Sequence, residues 1–395
     1  MLNSVDDCLY LIRLTAPCRD VSHLRRRVPW PSTFGRLEMQ LALLGWDQTF
    51  SADFASYSCA GLTAGRVILQ HNHIFTVVTE AGEINAQVSG RLRHESMSAD
   101  KLPAVGDWVA LHLSPGGGNA LIHAVLPRRS KFSRKQAGRA TREQVVAANV
   151  DTVFLVVGMD NDFSPRRVER YLAAAWESGA APVVILNKLD LCADPIARVA
   201  AIEEVAPAVP VHAISALRGD NLDAAAAYCV SRRTVALLGS SGVGKSTLIN
   251  TLLGGDLLAT AAVRQKDSRG RHTTTHRELI FLPDGGMVID TPGLRELQLW
   301  EADEGIQVTF DEIETLARGC RFRDCRHQNE PGCAVRAAVE AGELPPDRLA
   351  SMHKLQKELA WFDRQHDQLA AIEEKRRWKA IHKSAKRFYQ DDGGS

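Results

Sequence analysis

The sequence predicts a chain in three parts: a small five-stranded β-barrel near the N-terminus, a central parallel β-sheet covered by helices, and a mainly helical C-terminal part with a Cys/His knot. Three observations carry this reading. Between Ala64 and Leu126 the chain breaks into five short apolar runs punctuated by Gly or Pro. From Asp151 to about Trp300, near-continuous apolar runs alternate with helical segments, as buried parallel strands and their crossovers do. Beyond Trp300 helical spacing takes over, and three cysteines and a histidine fall within Cys320 to Cys333.

Composition is consistent with this. The chain has 395 residues, 45% apolar and 24% charged, with a formal net charge of +1, which excludes a disordered or collagen-like chain. The longest apolar stretches, Thr152 to Met159 and Ala181 to Asn187, are under half the roughly 20 residues a membrane helix requires. No membrane association is expected. Eight cysteines, unevenly placed, point to a reducing cytoplasm and one metal site rather than a disulfide framework. Cys8, Cys18, Cys59, Cys192 and Cys229 read as ordinary side chains.

Residues 1–60 read as an N-terminal extension. Within it, LYLI is too short for a secretory signal and is preceded by Asp6 and Asp7, so residues 1–38 receive no function. One hypothesis is that translation begins at Met39, where a helix-like pattern starts; an intact mass that retains residues 1–38 overturns it.

Residues 61–128 supply the barrel, in the runs AGRVILQ, HIFTVVT, EINAQVSG, GDWVALHL and NALIHAVL. In the fourth, Val109, Leu111 and Leu113 alternate with Ala110 and His112, the period of a half-buried strand. An OB-fold that binds RNA is the leading candidate and an SH3-like barrel the second. The block Arg128 to Arg142 holds seven Lys or Arg and no acid. It reads either as a solvated linker or as a contact to nucleic-acid phosphates.

Residues 129–300 carry the nucleotide chemistry. GSSGVGKS, Gly239 to Ser246, follows the apolar run TVALLG and opens the helical STLINTLL, the strand–loop–helix context of a phosphate-binding loop. Its backbone N–H groups cradle phosphates, Lys245 reaches the β/γ-phosphates and Ser246 ligates Mg²⁺. NKLD, Asn187 to Asp190, ends another apolar run, where ligands bind in open α/β sheets. An Asp carboxylate there accepts from both guanine N–H groups, and adenine offers no such pair. Contacts to GTP or GDP are therefore expected from Asn187 (to N7), Lys188 (along the ring), Leu189, Asp190, Ser215 and Ala216 (a backbone N–H to the base oxygen), and from Gly239, Ser240, Ser241, Gly242, Val243, Gly244, Lys245, Ser246 and Thr247. In DTPG, Asp290 is expected to hold Mg²⁺ through water and the Gly293 N–H to sense the γ-phosphate. GRHTTTH supplies Thr273 or Thr274 as a further Mg²⁺ ligand.

The motif order is permuted. GTPases usually run phosphate loop, switch threonine, DxxG, then NKxD; here NKLD precedes both the loop and DTPG. Circular permutation is tolerable because all these loops gather at the carboxyl ends of the strands, and it makes DTPG lead directly into the C-terminal part. Leu294 stands where many GTPases carry a water-orienting glutamine, so unaided hydrolysis is expected to be slow. His272 is the best internal substitute, and Lys245, Gly293 and His272 are the candidate catalytic residues.

Residues 301–395 form the C-terminal part. Cys320, Cys325, His327 and Cys333 give a closed shell for one structural Zn²⁺. Met352, Leu355, Leu359, Phe362 and Leu369 form a helical stripe expected to pack on its own domain rather than on a second chain, so a monomer is expected.

The permuted motifs, the preceding barrel and the knot together resemble one family closely, the small ribosomal subunit biogenesis GTPases of the RsgA (YjeQ) type. The resemblance covers roughly residues 60 to 390 and stands on NKLD, GSSGVGKST, GRHTTT, DTPG with a following hydrophobic residue, and the Cys-Cys-His-Cys set. It implies an OB-fold domain, a permuted GTPase and a zinc domain that dock on the small (30S) subunit and its rRNA late in maturation. It further implies that the subunit stimulates hydrolysis and thereby releases the protein. Residues 1–38 have no counterpart, and the basic tail Lys375 to Arg387, with Trp378, reads as an rRNA contact or a solvated helix end. The rival readings are a permuted GTPase of the large subunit, a non-catalytic RNA-binding adaptor that holds nucleotide, and an ATPase.

Overall fold

The structure, a computed structural model, describes residues 41–95, 101–114, 118–135, 143–255, 277–290, 303–361 and 364. His272, Thr273, Thr274, Gly293, Leu294, residues 1–38, Phe362, Leu369 and the basic tail lie outside the described residues.

Five strands close into a barrel: β1 (Thr63–His71), β2 (Ile74–Thr79), β3 (Gly82–Val88), β4 (Trp108–His112) and β5 (Ala120–Val125). The ring runs β1-β2-β3-β5-β4 and back to β1, with β3 and β5 parallel and the other pairs antiparallel. This is the Greek-key closure of an OB-fold. Val67, Val77, Ala86, Val109, Leu111 and Ile122 fill it. Leu113, expected on the inner face, is exposed because β4 ends at His112, and Ala110 is buried on the opposite face.

A helix precedes the barrel, α1 (Gln48–Cys59), its N-terminus capped by Asp47, which accepts from Thr49 N–H at 3.0 Å and Phe50 N–H at 3.3 Å. Phe50 and Trp46 pack on Trp108 of β4, the two indoles 4.8 Å apart. A second short helix, α2 (Gly90–Glu95), lies between β3 and β4.

Part of the basic block is a strand rather than the expected linker. Lys131–Lys135 is a strand, β6, paired antiparallel with β7 (Glu143–Ala148). Phe132 is buried, and three cations of the block pair with acids: Arg128 with Asp107 (2.7 Å), Arg129 with Asp47 (2.5 Å) and Lys131 with Glu143 (2.9 Å). Residues 136–142 lie outside the described residues.

The central sheet runs β10 (Val211–Ala213), β9 (Ala181–Asn187), β8 (Thr152–Gly158), β11 (Thr234–Leu238), β13 (Met287–Asp290) and β12 (Arg277–Phe281), parallel except for β12. Helices α3 (Pro165–Ser178), α4 (Pro195–Val205), α5 (Leu222–Ala226) and α6 (Lys245–Leu253) cover it. β12 also pairs with β1, so barrel and central domain share one 11-stranded sheet. Three short helices, α7 (Asp303–Thr309), α8 (Asp311–Ala317) and α9 (Ala334–Glu340), and a longer α10 over 346–361 form the C-terminal domain. Met352, Leu355 and Leu359 of the expected stripe enter its own core. Among the described residues no helix is long and apolar enough to cross a membrane.

Candidate functional site

The site stands at the carboxyl ends of β8, β9, β11 and β13, where a parallel sheet leaves a crevice. The phosphate loop leaves β11 and enters α6. Gly239 (φ 156°) and Gly244 (φ 96°) are required there: a Cβ would stand 2.3 Å from the Val156 carbonyl oxygen at the first and 2.2 Å from Asn187 Nδ2 at the second. Val243 anchors the loop in the core, while Ser241 and Gly242 are exposed at its mouth. Lys245 Nζ donates to the carbonyls of Gly239 and Ser240, both at 2.6 Å. Ser246 and Thr247 occupy the first turn of α6, half-buried, with the helix N-terminus behind them. Asp290 ends β13, one residue past the Ala236–Ile289 pair that aligns β13 with β11.

The structure brings the NKLD segment against this loop. Asn187 is buried and bridges three motifs: its Nδ2 donates to the Val243 carbonyl at 2.8 Å, and its Oδ1 accepts from Ala216 N–H at 2.9 Å. Ser215 contributes through its hydroxyl, which donates to Asp190 Oδ1 at 2.6 Å and orients that carboxylate. Its backbone N–H donates to the Asp220 carbonyl. Lys188, at positive φ, ends on Asp160 Oδ2 at 2.5 Å, and Leu189 opens the turn that carries Asp190.

Three residues that the sequence reading missed complete the crevice: Asp160, Asp162 and Arg167, from the β8–α3 loop and the first turn of α3. Asp162 Oδ2 accepts from Ser240 Oγ at 2.5 Å and pairs with Arg167 at 2.6 Å. The Arg167 and Ser240 donors hold the Asp162 carboxyl below the ordinary value, and Asp162 raises Arg167 in return. Burial pushes Asp160 up, but hydrogen bonds from Lys188 and the Asp162 N–H outweigh it and the carboxyl titrates low. The available signal was DNDFS, a polar run closing an apolar strand, the position at which α/β sheets place ligand loops.

In the C-terminal domain, Cys320, Cys325, His327 and Cys333 converge, their ligand atoms all within 4.8 Å of one another. Cys320 Sγ lies 3.9 Å from Cys333 Sγ, and His327 Nδ1 lies 3.6 and 3.4 Å from the two sulfurs. A tetrahedral zinc ion, about 2.3 Å from sulfur and about 2.0–2.1 Å from nitrogen, sets sulfur–sulfur edges near ~3.8 Å and sulfur–nitrogen edges near ~3.6 Å. The four donors are spaced to hold such an ion. Cys229, in contrast, is an ordinary core thiol, pushed up to about 12 by burial.

A parallel sheet with a phosphate loop, an NKLD segment packed against it and an Asp at the end of β13, threaded with NKLD first, defines a circularly permuted GTPase. The RsgA GTPase family model matches residues 125–300. A protein of Opitutus terrae called small ribosomal subunit biogenesis GTPase RsgA is 52% identical over 353 residues, covering 87% of this chain and 96% of its own length. Its namesake in Methanosarcina acetivorans is 42% identical, covering 88% and 93%. The crystal structure of YjeQ from Thermotoga maritima superposes with a TM-score of 0.58 at 28% identity over 76% of this chain and 99% of that one. The chain belongs to the RsgA GTPase family, and with it come GTP hydrolysis and the use of GTP, GDP and Mg²⁺.

Proposed function

We propose that this protein is a monomeric cytoplasmic GTPase that binds the small (30S) ribosomal subunit as a late maturation checkpoint, hydrolysing GTP to GDP and phosphate when the subunit stimulates it. The observation that carries this is the 52% identity, over 87% of the chain, to a relative named for small-subunit biogenesis. In this reading residues 61–128 meet rRNA, 129–300 turn over nucleotide and 301–395 form a domain stapled by zinc on Cys320, Cys325, His327 and Cys333. Residues 1–60 stay an extension, of which α1 packs on the barrel.

Asp190, oriented by Ser215, accepts from the guanine edge, and Asn187 ties that reading to the phosphate loop. Mg²⁺, when bound, would supply positive charge against the charge that develops on the phosphates. Ser246, Asp290 and Thr273 or Thr274 are its proposed ligands, Gly293 reads the γ-phosphate, and His272 stands in for the glutamine that Leu294 replaces.

Phosphate release from GTP, measured alone and with added small subunits, large subunits or intact ribosomes at fixed salt, tests this. Stimulation specific to small subunits is expected. No stimulation by any particle, with GDP still bound tightly, would instead favour the nucleotide-holding adaptor that Leu294 suggests.

A further inference from the structure

Arg167 is a cation in the first turn of a helix, where the macrodipole disfavours positive charge. Its compensation is local and specific. Arg167 Nη1 lies 2.6 Å from Asp162 Oδ2, 3.1 Å from the Asp162 carbonyl and 3.2 Å from Ser240 Oγ, and that same hydroxyl donates to Asp162 Oδ2 at 2.5 Å. Carboxylate and guanidinium thus grip one hydroxyl of the phosphate loop from two sides. The carbonyl of that same Ser240 accepts from Lys245 Nζ at 2.6 Å. The side chain of Ser240 is therefore held by α3 while its backbone holds the lysine that meets the phosphates.

The support behind Arg167 is fixed at both levels. Val168 and Leu172, on the same helix, are buried in the central core, and Glu169 is locked to Arg348 of the C-terminal domain at 2.6 Å. The β8–α3 loop is fixed in turn by Asp160, whose Oδ1 accepts from Asp162 N–H at 3.1 Å and whose Oδ2 takes Lys188 of NKLD. One connected path runs from the base-reading lysine through Asp160 and Asp162 to Ser240.

We propose that Arg167 is a positioning residue for GTP hydrolysis: with Asp162 it fixes Ser240, and through the Ser240 carbonyl it fixes where Lys245 Nζ stands. Preorganised charge lowers the barrier only while it is aimed, and displacement of about 1 Å costs on the order of a hundredfold. The proposal rests on the GTPase activity of the family and not on the ribosomal partner.

The test is GTP turnover by the full-length chain carrying Arg167→Ala, Ser240→Ala, both together, or Arg167→Lys, with and without small subunits. Each alanine variant is expected to lower kcat by roughly ten- to a hundredfold. KM should rise by less than kcat falls, because Asn187 and Asp190 are untouched. The double variant is expected to lose no more than the worse single, since both act through one contact. Arg167→Lys, which keeps a donor but not the fork, should recover part of the rate. An Arg167→Ala protein with unchanged kcat overturns the proposal, as do single losses that multiply in the double. Should Arg167→Ala lower the melting temperature too far to assay, Ser240→Ala removes a single hydroxyl and decides alone, an unchanged kcat again counting against it. If the unsubstituted chain shows no stimulation by small subunits, the ribosomal reading fails while the basal rates still judge Arg167.

Discussion

The barrel joins the central domain through backbone, whereas the C-terminal domain joins it through side chains. At the first junction β1 pairs with β12, Leu69 opposite Glu278 and Gln70 opposite Arg277, and Arg66 is buried beneath. Arg66 donates to the carbonyls of Gly106 (3.2 Å), Asn149 (3.1 Å) and Leu44, and to Thr234 Oγ1 (2.9 Å), with Trp108 5.5 Å from its guanidinium. Burial pulls its pKa down to about 10, and Asp151 and Asp107 oppose that pull from a distance. At the second junction α7 lies so close on α3 that a Cβ on Gly305 would stand 2.0 Å from the Ala173 carbonyl oxygen. The buried cation there, Arg348, pairs with Glu169 (2.6 Å) and Glu312 (2.5 Å), stacks on Phe310 and shares Glu169 with Ser351. One buried arginine is satisfied by neutral acceptors and the other by carboxylates, so losing them has different consequences: only the second leaves a charge stranded.

The largest contrast comes from removing the zinc proposed at Cys320, Cys325, His327 and Cys333. Structural zinc supplies about 10–16 kcal/mol of apparent folding free energy in zinc-finger peptides. Chelation is therefore expected to unravel the knot and the start of α9, whose first turn is capped by Cys333 Sγ accepting from Arg336 N–H. Hydrogen exchange should then rise across 311–361 while β1 and β12 keep their protection. Loss of protection in both regions together would show that the two junctions are not independent.

Next in size are the two arginines. Arg348→Met strands Glu169, which is 2% exposed, and should cost about 3–5 kcal/mol, with the C-terminal domain melting ahead of the rest. Arg66→Met strands carbonyls and a hydroxyl and should cost less, about 2–3 kcal/mol, lowering barrel and central sheet in one shared transition. Denaturant titrations followed by hydrogen exchange separate the two. A shared transition in the Arg348 variant would mean that the side-chain junction is as continuous as the backbone one.

What the sequence made legible follows from the same contrast. The phosphate loop, NKLD and the knot were readable because phosphate, guanine and metal each dictate residue types at short, fixed spacing. The barrel was readable because its apolar runs are local. Arg66 and Arg348 were not, since their partners Thr234 and Glu169 lie 168 and 179 residues away. Nothing in the neighbouring residues distinguishes a buried arginine from a solvated one. β6 was missed for a related reason: KFSRK is mostly cationic, its one large apolar residue is Phe132, and the strand that pairs it lies beyond a seven-residue gap. The Asp162–Arg167–Ser240 contact was hidden by circular permutation, which puts Ser240 some 78 residues from Asp162 although they share one crevice.

The smallest effect sharpens the comparison most. Arg170 and Glu358 bridge α3 to α10 at 2.6 Å, on the same junction as Arg348, but their side chains are 37% and 24% exposed. Water screens such a pair, and ordering two long side chains offsets much of the attraction, so Arg170→Gln is expected to cost less than about 1 kcal/mol. That loss should shrink further at about 1 M salt, where the Debye length falls to about 3 Å. Arg348→Met, acting on a buried pair, should show little salt dependence. Melting of the C-terminal domain at low and high salt for both variants makes the distinction. If Arg170→Gln costs as much as Arg348→Met, the strength of the junction is spread over its rim rather than concentrated at the buried arginine, and the argument from desolvation fails.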